Sequence, residues 1–106
     1  MPETYASYGT KLTDTNETTI LTSVTGTSIV NGINIANVDA SSSASITVTL
    51  YKGATGYALI KTALVPIQAS LQILDSPIPI STGDTIKATA SNANRLEIVV
   101  SVLEIT

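Results

Sequence analysis

From Ala44 to Thr106 the sequence repeats short runs in which apolar residues alternate with threonine or serine, and a turn signal separates successive runs. In residues 46–51 Ile, Val and Leu alternate with Thr and Tyr, and residues 85–90 repeat the pattern. Since successive side chains of a strand point to opposite faces, each run predicts a strand with one buried and one solvated face. About seven or eight such strands, with no helical run, predict an all-β fold: an antiparallel, jelly-roll-like β-sandwich.

The size and composition of the chain limit the core it can build. It has 106 residues and no Cys, His, Trp or Phe. One domain of this length must build its core from Ile, Val, Leu and Ala, without a disulfide or a Cys/His metal site to stabilise it. We therefore expect modest stability for the isolated chain and further burial through oligomerisation.

The first 17 residues differ from the rest because they are polar and lack sustained apolar alternation. We interpret residues 1–17 as a polar N-terminal arm and residues 18–106 as a single β-sandwich domain. The arm is either a frayed terminus or an extended segment on a neighbouring subunit, anchored by Tyr5 and Tyr8.

Asn31-Gly32 interrupts a strand-like run between residues 28 and 38. The dipeptide is a strong hairpin signal, yet Ile29, Ile33 and Ile35 keep the same phase across it. We favour one long strand bent at Gly32 over a reversal of the chain.

The last predicted strand, residues 96–105, is apolar on both faces. Its even-numbered positions from 96 to 102 are Leu, Ile, Val and Val, and Val99, Leu103 and Ile105 occupy the other face. Such a strand is either central in a sandwich or covered by a neighbouring subunit, and we favour the neighbour. The predicted interface therefore comprises five residues: Tyr5, Tyr8, Val99, Leu103 and Ile105.

The residue types present provide little for catalysis. Without His or Cys a nucleophilic triad is excluded, and none of the lysines lies in a recognisable Ser-Lys motif. Paired carboxylates remain as candidates, namely Asp39, Asp75, Asp84 and Glu97, but turn hydrogen bonds and cross-strand ion pairs explain them better. No calcium-loop motif or phosphate-binding glycine loop occurs. We predict a protein that is not an enzyme, with no catalytic, cofactor-binding or metal-binding residues.

The charge of the chain also restricts its partners. The formal net charge is −3, and the five Lys and Arg residues are scattered, so nucleic-acid binding is not expected. No apolar stretch approaches the roughly 18 residues of a membrane span, and the N-terminal sequence does not resemble a secretory signal. We expect synthesis in the cytoplasm and no membrane partner.

A resemblance to a known group of proteins supplies a function. The order of segments resembles that of small virion proteins of tailed bacteriophages, over residues 18–21, 33–37, 46–50, 71–75, 78–80, 83–88 and 100–106. The resemblance implies a non-enzymatic virion subunit: a capsid decoration (cement) protein, or a neck or tail-attached protein. Many such proteins are trimers or larger rings, so it also implies a homo-oligomer, with a trimer favoured, bound to the major capsid protein or to neck or tail proteins.

A second hypothesis keeps the fold and changes the role. The chain would then be a receptor- or glycan-binding domain of a tail fibre or surface appendage. Its candidate contact residues are Tyr51 and Tyr57, because aromatic rings stack on sugars.

Overall fold

The computed structural model describes residues 3–22, 26–74 and 76–105, and these residues form nine β-strands. The strands are β1 (Glu3–Leu12), β2 (Thr18–Thr22), β3 (Thr27–Asn37), β4 (Ala44–Lys52), β5 (Thr55–Val65), β6 (Ser70–Gln72), β7 (Ile78–Ser81), β8 (Asp84–Ala90) and β9 (Leu96–Ile105). Among the described residues no helix is long and apolar enough to cross a membrane.

The strands form two antiparallel sheets packed face to face. Sheet A has the order β1-β9-β3-β6, with β7 also paired to β3, and sheet B has the order β2-β8-β4-β5. The chain passes from one sheet to the other at most of its connections, while β4 and β5 form a hairpin within sheet B. The predicted antiparallel β-sandwich is confirmed.

The core lies between the sheets and consists of aliphatic side chains. Sheet A contributes Ile33, Ile35, Ile98 and Val100, and sheet B contributes residues such as Ile46, all without solvent exposure. The alternation predicted for residues 46–51 and 85–90 is confirmed, since β4 and β8 bury every second residue. Apolar burial between two sheets is the main term that stabilises such a fold.

β3 runs through Asn31-Gly32 without reversing, which confirms the bent-strand interpretation. The predicted phase, however, is wrong. The register with β9 shifts between Val30 and Gly32, so a β-bulge inserts one residue. Val30 therefore joins Ile33 in the core, and Ile29 lies on the opposite, outward face of sheet A.

Residues 3–12, which the sequence analysis placed in a polar arm, form the edge strand β1 in this structure. β1 pairs with β9 of the same chain from Glu3 opposite Ile105 to Leu12 opposite Leu96, with no shift of register. Among residues 4–12 only Leu12 is fully buried, so backbone pairing rather than apolar alternation defines the strand. In the single chain this segment is a paired edge strand rather than a frayed end, and its contact with a neighbouring subunit stays a prediction.

A buried amide fixes the loop between β3 and β4. Asn37 Nδ2 donates to the carbonyl oxygens of Ser42 and Val65, both at 3.0 Å, and its Oδ1 accepts from Asp39 N at 2.9 Å. Asn37 is only 3% exposed, so these bonds satisfy its polar atoms where water has little access. The amide thereby joins the end of β3 to the loop and to the end of β5.

The β4–β5 hairpin contains a close contact between an aromatic ring and a glycine. Tyr51 is directly opposite Gly56, and its Cε1 atom is 2.9 Å from the position that a Cβ on Gly56 would take. The Tyr51 hydroxyl donates to Glu17, and Lys87 Nζ lies 5.0 Å from the ring centre. The absence of a side chain at Gly56 is therefore what admits the ring.

Candidate assembly surface

The outward face of sheet A carries a row of apolar residues that crosses four strands. Tyr5 of β1 is opposite Leu103 of β9, Leu103 is opposite Ile29 of β3, and Ile29 is opposite Pro79 of β7. Directly opposite residues of antiparallel strands share one face of the sheet, so these four form a continuous band. We call Tyr5, Leu103, Ile29 and Pro79 the apolar row.

Two further apolar residues lie on the same face. Ile105 follows Leu103 on the outward face of β9. Val99 also lies on this face, but the polar Ser101 separates it from Leu103. Tyr5 is 77% exposed and Val99 42% exposed, while Leu103 and Ile105 are partly buried by their neighbours. Among the described residues no further layer of the chain covers this face.

β9 has the first of the two features that were predicted as alternatives. It is central in sheet A, between β1 and β3, and buries Ile98 and Val100 in the core. Its other face, with Val99 and Leu103, remains at the surface of the single chain. Whether a neighbouring subunit covers that face stays a prediction.

Tyr8 is not brought together with the other predicted interface residues. It is opposite Val100, whose side chain is in the core, so Tyr8 and Tyr5 lie on opposite faces of β1. The Tyr8 hydroxyl donates to Glu104 Oε2 at 2.7 Å. This hydrogen bond raises the pKa of Tyr8 above its ordinary value, because the carboxylate favours the protonated phenol.

Ile29 and Pro79 belong to this surface but were not predicted from the sequence. Ile29 was predicted to share a face with Ile33 and Ile35, because an alternation of apolar residues does not reveal the bulge between Val30 and Gly32. Pro79 lies on β7, whose pairing with β3 joins residues about 50 positions apart. The short β7 lies at the edge of sheet A, where its Pro79 is tolerated.

The outward face of sheet B differs in chemistry from that of sheet A. It carries mainly threonine on β4 and β8, including the directly opposite pair Thr47 and Thr89. Leu64 of β5, 60% exposed, is a large apolar side chain on this face, and its opposite residue is Ser45. The two outward faces therefore offer an internal comparison, one with an apolar row and one mainly hydroxylated.

The three candidate carboxylates among the described residues lie in turns or at strand edges. Asp39 accepts from Ser41 N at 3.4 Å, and Glu97 lies 3.5 Å from Lys11 Nζ across β1 and β9, as the turn and cross-strand interpretations predicted. Asp75 lies outside the described residues. Within residues 3–22, 26–74 and 76–105, no three Asp, Glu, His or Cys side chains gather as they would around a metal ion.

Asp84 is the most constrained of these groups. Its Oδ2 atom accepts from Ser81 N at 3.0 Å and from Lys52 Nζ at 2.9 Å. These hydrogen bonds hold the pKa of Asp84 below its ordinary value because they favour the charged form, and the bond from the Ser81 backbone has the larger effect. The pair connects the β7–β8 turn to the β4–β5 hairpin.

Comparison with known proteins found matches among solved structures. No family model matches the chain. No curated protein matches it either. Two solved structures are similar, both of a pentameric capsid protein isolated from metagenomic phage sequences, at 19% identity and with TM-scores of 0.43 and 0.42. The matches cover 94% of this chain, but only 59% and 60% of those chains, so this chain spans about three-fifths of their length.

Proposed function

We propose that this chain is a non-enzymatic structural subunit of a tailed-phage particle, and most specifically a capsid decoration (cement) protein. It self-associates and docks on the particle surface through the outward face of sheet A. The observation that carries the proposal is the apolar row, which crosses four strands and remains at the surface of the single chain. Contiguous apolar surface of this kind marks interaction sites in soluble proteins.

The strand order supports the same proposal. The sheet orders β1-β9-β3-β6 and β2-β8-β4-β5, between which the chain alternates at most of its connections, support a jelly-roll-like arrangement. Jelly rolls recur in viral capsid domains and in lectins, so this support is an analogy at the level of fold. Of these two roles, the sequence resemblance to phage virion proteins favours the capsid over the lectin.

The proposed contact residues are Tyr5, Val99, Leu103 and Ile105, with Ile29 and Pro79 added from the structure. Tyr5 is the most exposed of them, and an exposed tyrosine suits an interface because its ring is apolar and its hydroxyl tolerates water. The proposed partners are further copies of the chain, a trimer being favoured, and the major capsid protein.

The experiment compares Leu103→Asp with Leu64→Asp. Both variants place a charge on an outward sheet face, but only the first lies in the apolar row. Particles of the phage that encodes the chain, prepared without the protein, are incubated with each variant, and bound protein is measured after sedimentation of the particles. We expect Leu103→Asp to abolish binding and Leu64→Asp to bind as the unmodified chain does.

Equal binding of both variants would contradict docking through this face. Binding of neither the unmodified chain nor the variants would contradict the decoration role itself. Low-resolution images of particles with and without the protein place it on the capsid, the neck or the tail, and the decoration role requires the capsid.

A glycan-binding role in a tail fibre is the second candidate, and Tyr57 is the observation that favours it. Tyr57 is 55% exposed on β5, whereas the ring of Tyr51 already contacts Gly56 and Lys87. A sugar-stacking site would therefore use Tyr57. Glycan-array binding that is lost in Tyr57→Ala but kept in Leu103→Asp would establish this role in place of the first.

A further inference from the structure

The edge of sheet A formed by β1 has backbone groups that no strand of the described residues uses. Val38 N donates to Arg95 O at 2.8 Å, just beyond the paired residues of β3 and β9. In the same phase, the odd-numbered residues of β9 are the ones that exchange hydrogen bonds with β3. Hydrogen-bonded and non-bonded pairs alternate in an antiparallel ladder, so the even-numbered residues of β9 bond to β1. Asn94 N, which donates to Leu12 O at 2.9 Å, agrees with this assignment.

It follows that the odd-numbered residues of β1 direct their N–H and C=O groups away from the sheet. These residues are Glu3, Tyr5, Ser7, Gly9 and Lys11. They form a row of donors and acceptors ten residues long, because β1 has no proline and its register with β9 is unbroken. A long, regular edge of this kind is a template for another strand.

The other edges of the sandwich are protected. β2 has five residues and a register shift between Thr19 and Leu21, and β6 has only three residues. β5 has two register shifts and a left-handed residue, Thr62, with φ of 53°. β7 contains Pro79. Short strands, bulges and prolines are the usual means of preventing edge-to-edge association, and β1 has none of them.

We propose that β1 pairs antiparallel with β1 of a second copy of this chain, about a two-fold axis that passes through Ser7. In this register Ser7 is opposite Ser7 of the second copy and Tyr5 is opposite Gly9. Glu3, an acidic residue, is opposite the basic Lys11. Each of these pairs is of the hydrogen-bonded type, because all five residues direct their backbone groups to the free edge.

The sequence of β1 is complementary to itself in size as well as in charge. The bulky Tyr5 meets Gly9, and on the other face of the sheet the bulky Tyr8 meets Ala6. A large residue thus faces a small one at both tyrosines, which avoids steric conflict between adjacent strands. A parallel alignment would bring like charges together at both ends of the strand. These features select a second copy of β1 as the occupant of the edge.

The chain already contains the same kind of pair. Tyr51 and Gly56 are opposite each other in β4 and β5, and the tyrosine ring occupies the space above the glycine. In the proposed dimer Tyr5 does the same over Gly9 of the second copy. A Cβ built on Gly9 of the single chain contacts only Val99, at 3.9 Å, so space for the ring is present.

The pairing uses the edge of sheet A, whereas the trimer and the particle docking proposed above use its outward face, so the pairing does not depend on either of them. It joins the two copies of sheet A into one continuous sheet, and the apolar rows of both copies then lie on the same side of it. Docking through that side remains possible for the dimer.

Cysteine cross-linking tests the register. The natural chain has no Cys, so Ser7→Cys introduces a single thiol. Hydrogen-bonded partners have Cα atoms about 5.5 Å apart, within the range that a disulfide spans. The matched control is Ser101→Cys, because Ser101 is exposed, lies opposite Ser7 on the same face and is one strand further from the axis. Mild oxidation is expected to give a covalent dimer from Ser7→Cys and none from Ser101→Cys.

Sedimentation equilibrium tests the interaction without a cross-link. Ser7→Pro removes an edge-directed N–H while sparing the bonds to β9, so the dimer dissociation constant should rise about tenfold or more. Glu3→Lys should also weaken the dimer, because it places two cations opposite each other at both ends of the paired strands.

Absence of the Ser7→Cys cross-link, or equal cross-linking of both cysteine variants, would overturn the pairing even if Ser7→Pro failed to fold. An unmodified chain that stays monomeric at all concentrations would do so as well. Leu103→Asp leaves the edge unchanged, so it should retain the dimer even where it loses particle binding, which separates a failure of this inference from a failure of the proposed function.

Discussion

The ring of Tyr51 lies over Gly56 so closely that a Cβ on the glycine would be 2.9 Å from Tyr51 Cε1. Gly56→Ala must therefore displace the ring, which also carries the hydrogen bond to Glu17 and the contact with Lys87. We expect the free energy of unfolding to fall by about 1 kcal/mol, which is the lower end of the usual cost of adding a methyl group to a packed site. Urea denaturation measures the change.

The control for this variant is Gly32→Ala. A Cβ on Gly32 would contact only the Gln72 side chain, at 3.5 Å or more, which is an ordinary distance. The free energy of unfolding should then stay within about 0.5 kcal/mol of that of the unmodified chain. A larger loss for Gly32→Ala than for Gly56→Ala would show that the ring over Gly56 is not the limiting contact.

The bulge in β3 predicts unequal effects for two isoleucines that the sequence places in the same phase. Ile33 has no solvent exposure, so Ile33→Ala should lower the free energy of unfolding by about 2–5 kcal/mol. Ile29 lies on the outward face, and Ile29→Ala should cost about 1 kcal/mol or less. Similar losses in thermal and urea unfolding for both variants would mean that the bulge is absent in solution.

Replacement of Asn37 should destabilise the chain through the groups it leaves unpaired. Asn37→Ala removes the donor to Ser42 O and Val65 O and the acceptor for Asp39 N. We expect a loss of about 1–3 kcal/mol in the free energy of unfolding. Asn34→Ala, a change on the half-buried outward face, serves as the control and should have little effect. Comparable losses at the two positions would argue against a special role for the buried amide.

Acid should weaken the contribution of Asp84 to stability. Because its pKa is lower in the folded chain than the ordinary 3.8, its stabilisation is fully present above the unfolded pKa and is lost as pH falls through the folded value. Asp84→Asn should thus be less stable than the unmodified chain at pH 7, and the difference should narrow as the pH is lowered below about 4. Urea unfolding across this range measures the difference. A difference that is independent of pH would exclude the carboxylate as its source.

The parts of the fold that were predictable from sequence are those in which one face of a strand is buried and no bulge occurs. β4 and β8 meet both conditions, so their alternation identifies the strand, its core face and its solvated face together. The hairpin turn at Gly53 was also predictable, since its φ of 64° suits glycine.

The remaining features depend on long-range pairing, which alternation does not encode. β1 has few apolar residues, and its pairing with β9 links the two ends of the described chain. The apolar row likewise depends on which strands are neighbours. The sequence identified Tyr5, Leu103 and Ile105, but their relation to Ile29 and Pro79 required the register of β3, β7 and β9. Tyr8 was grouped with Tyr5 because a polar segment gave no indication of which way each ring would point.

The central position of β9 also has a consequence for folding kinetics. Both β1 and β3 pair with β9, so sheet A is incomplete until residues 96–105 have left the ribosome. Pairings between residues so far apart in sequence close large loops and slow the folding of β-proteins. During synthesis β1 therefore stays unpaired until β9 is complete. In that interval β1 of one chain is free to pair with β9 of another chain that is synthesised on the same mRNA.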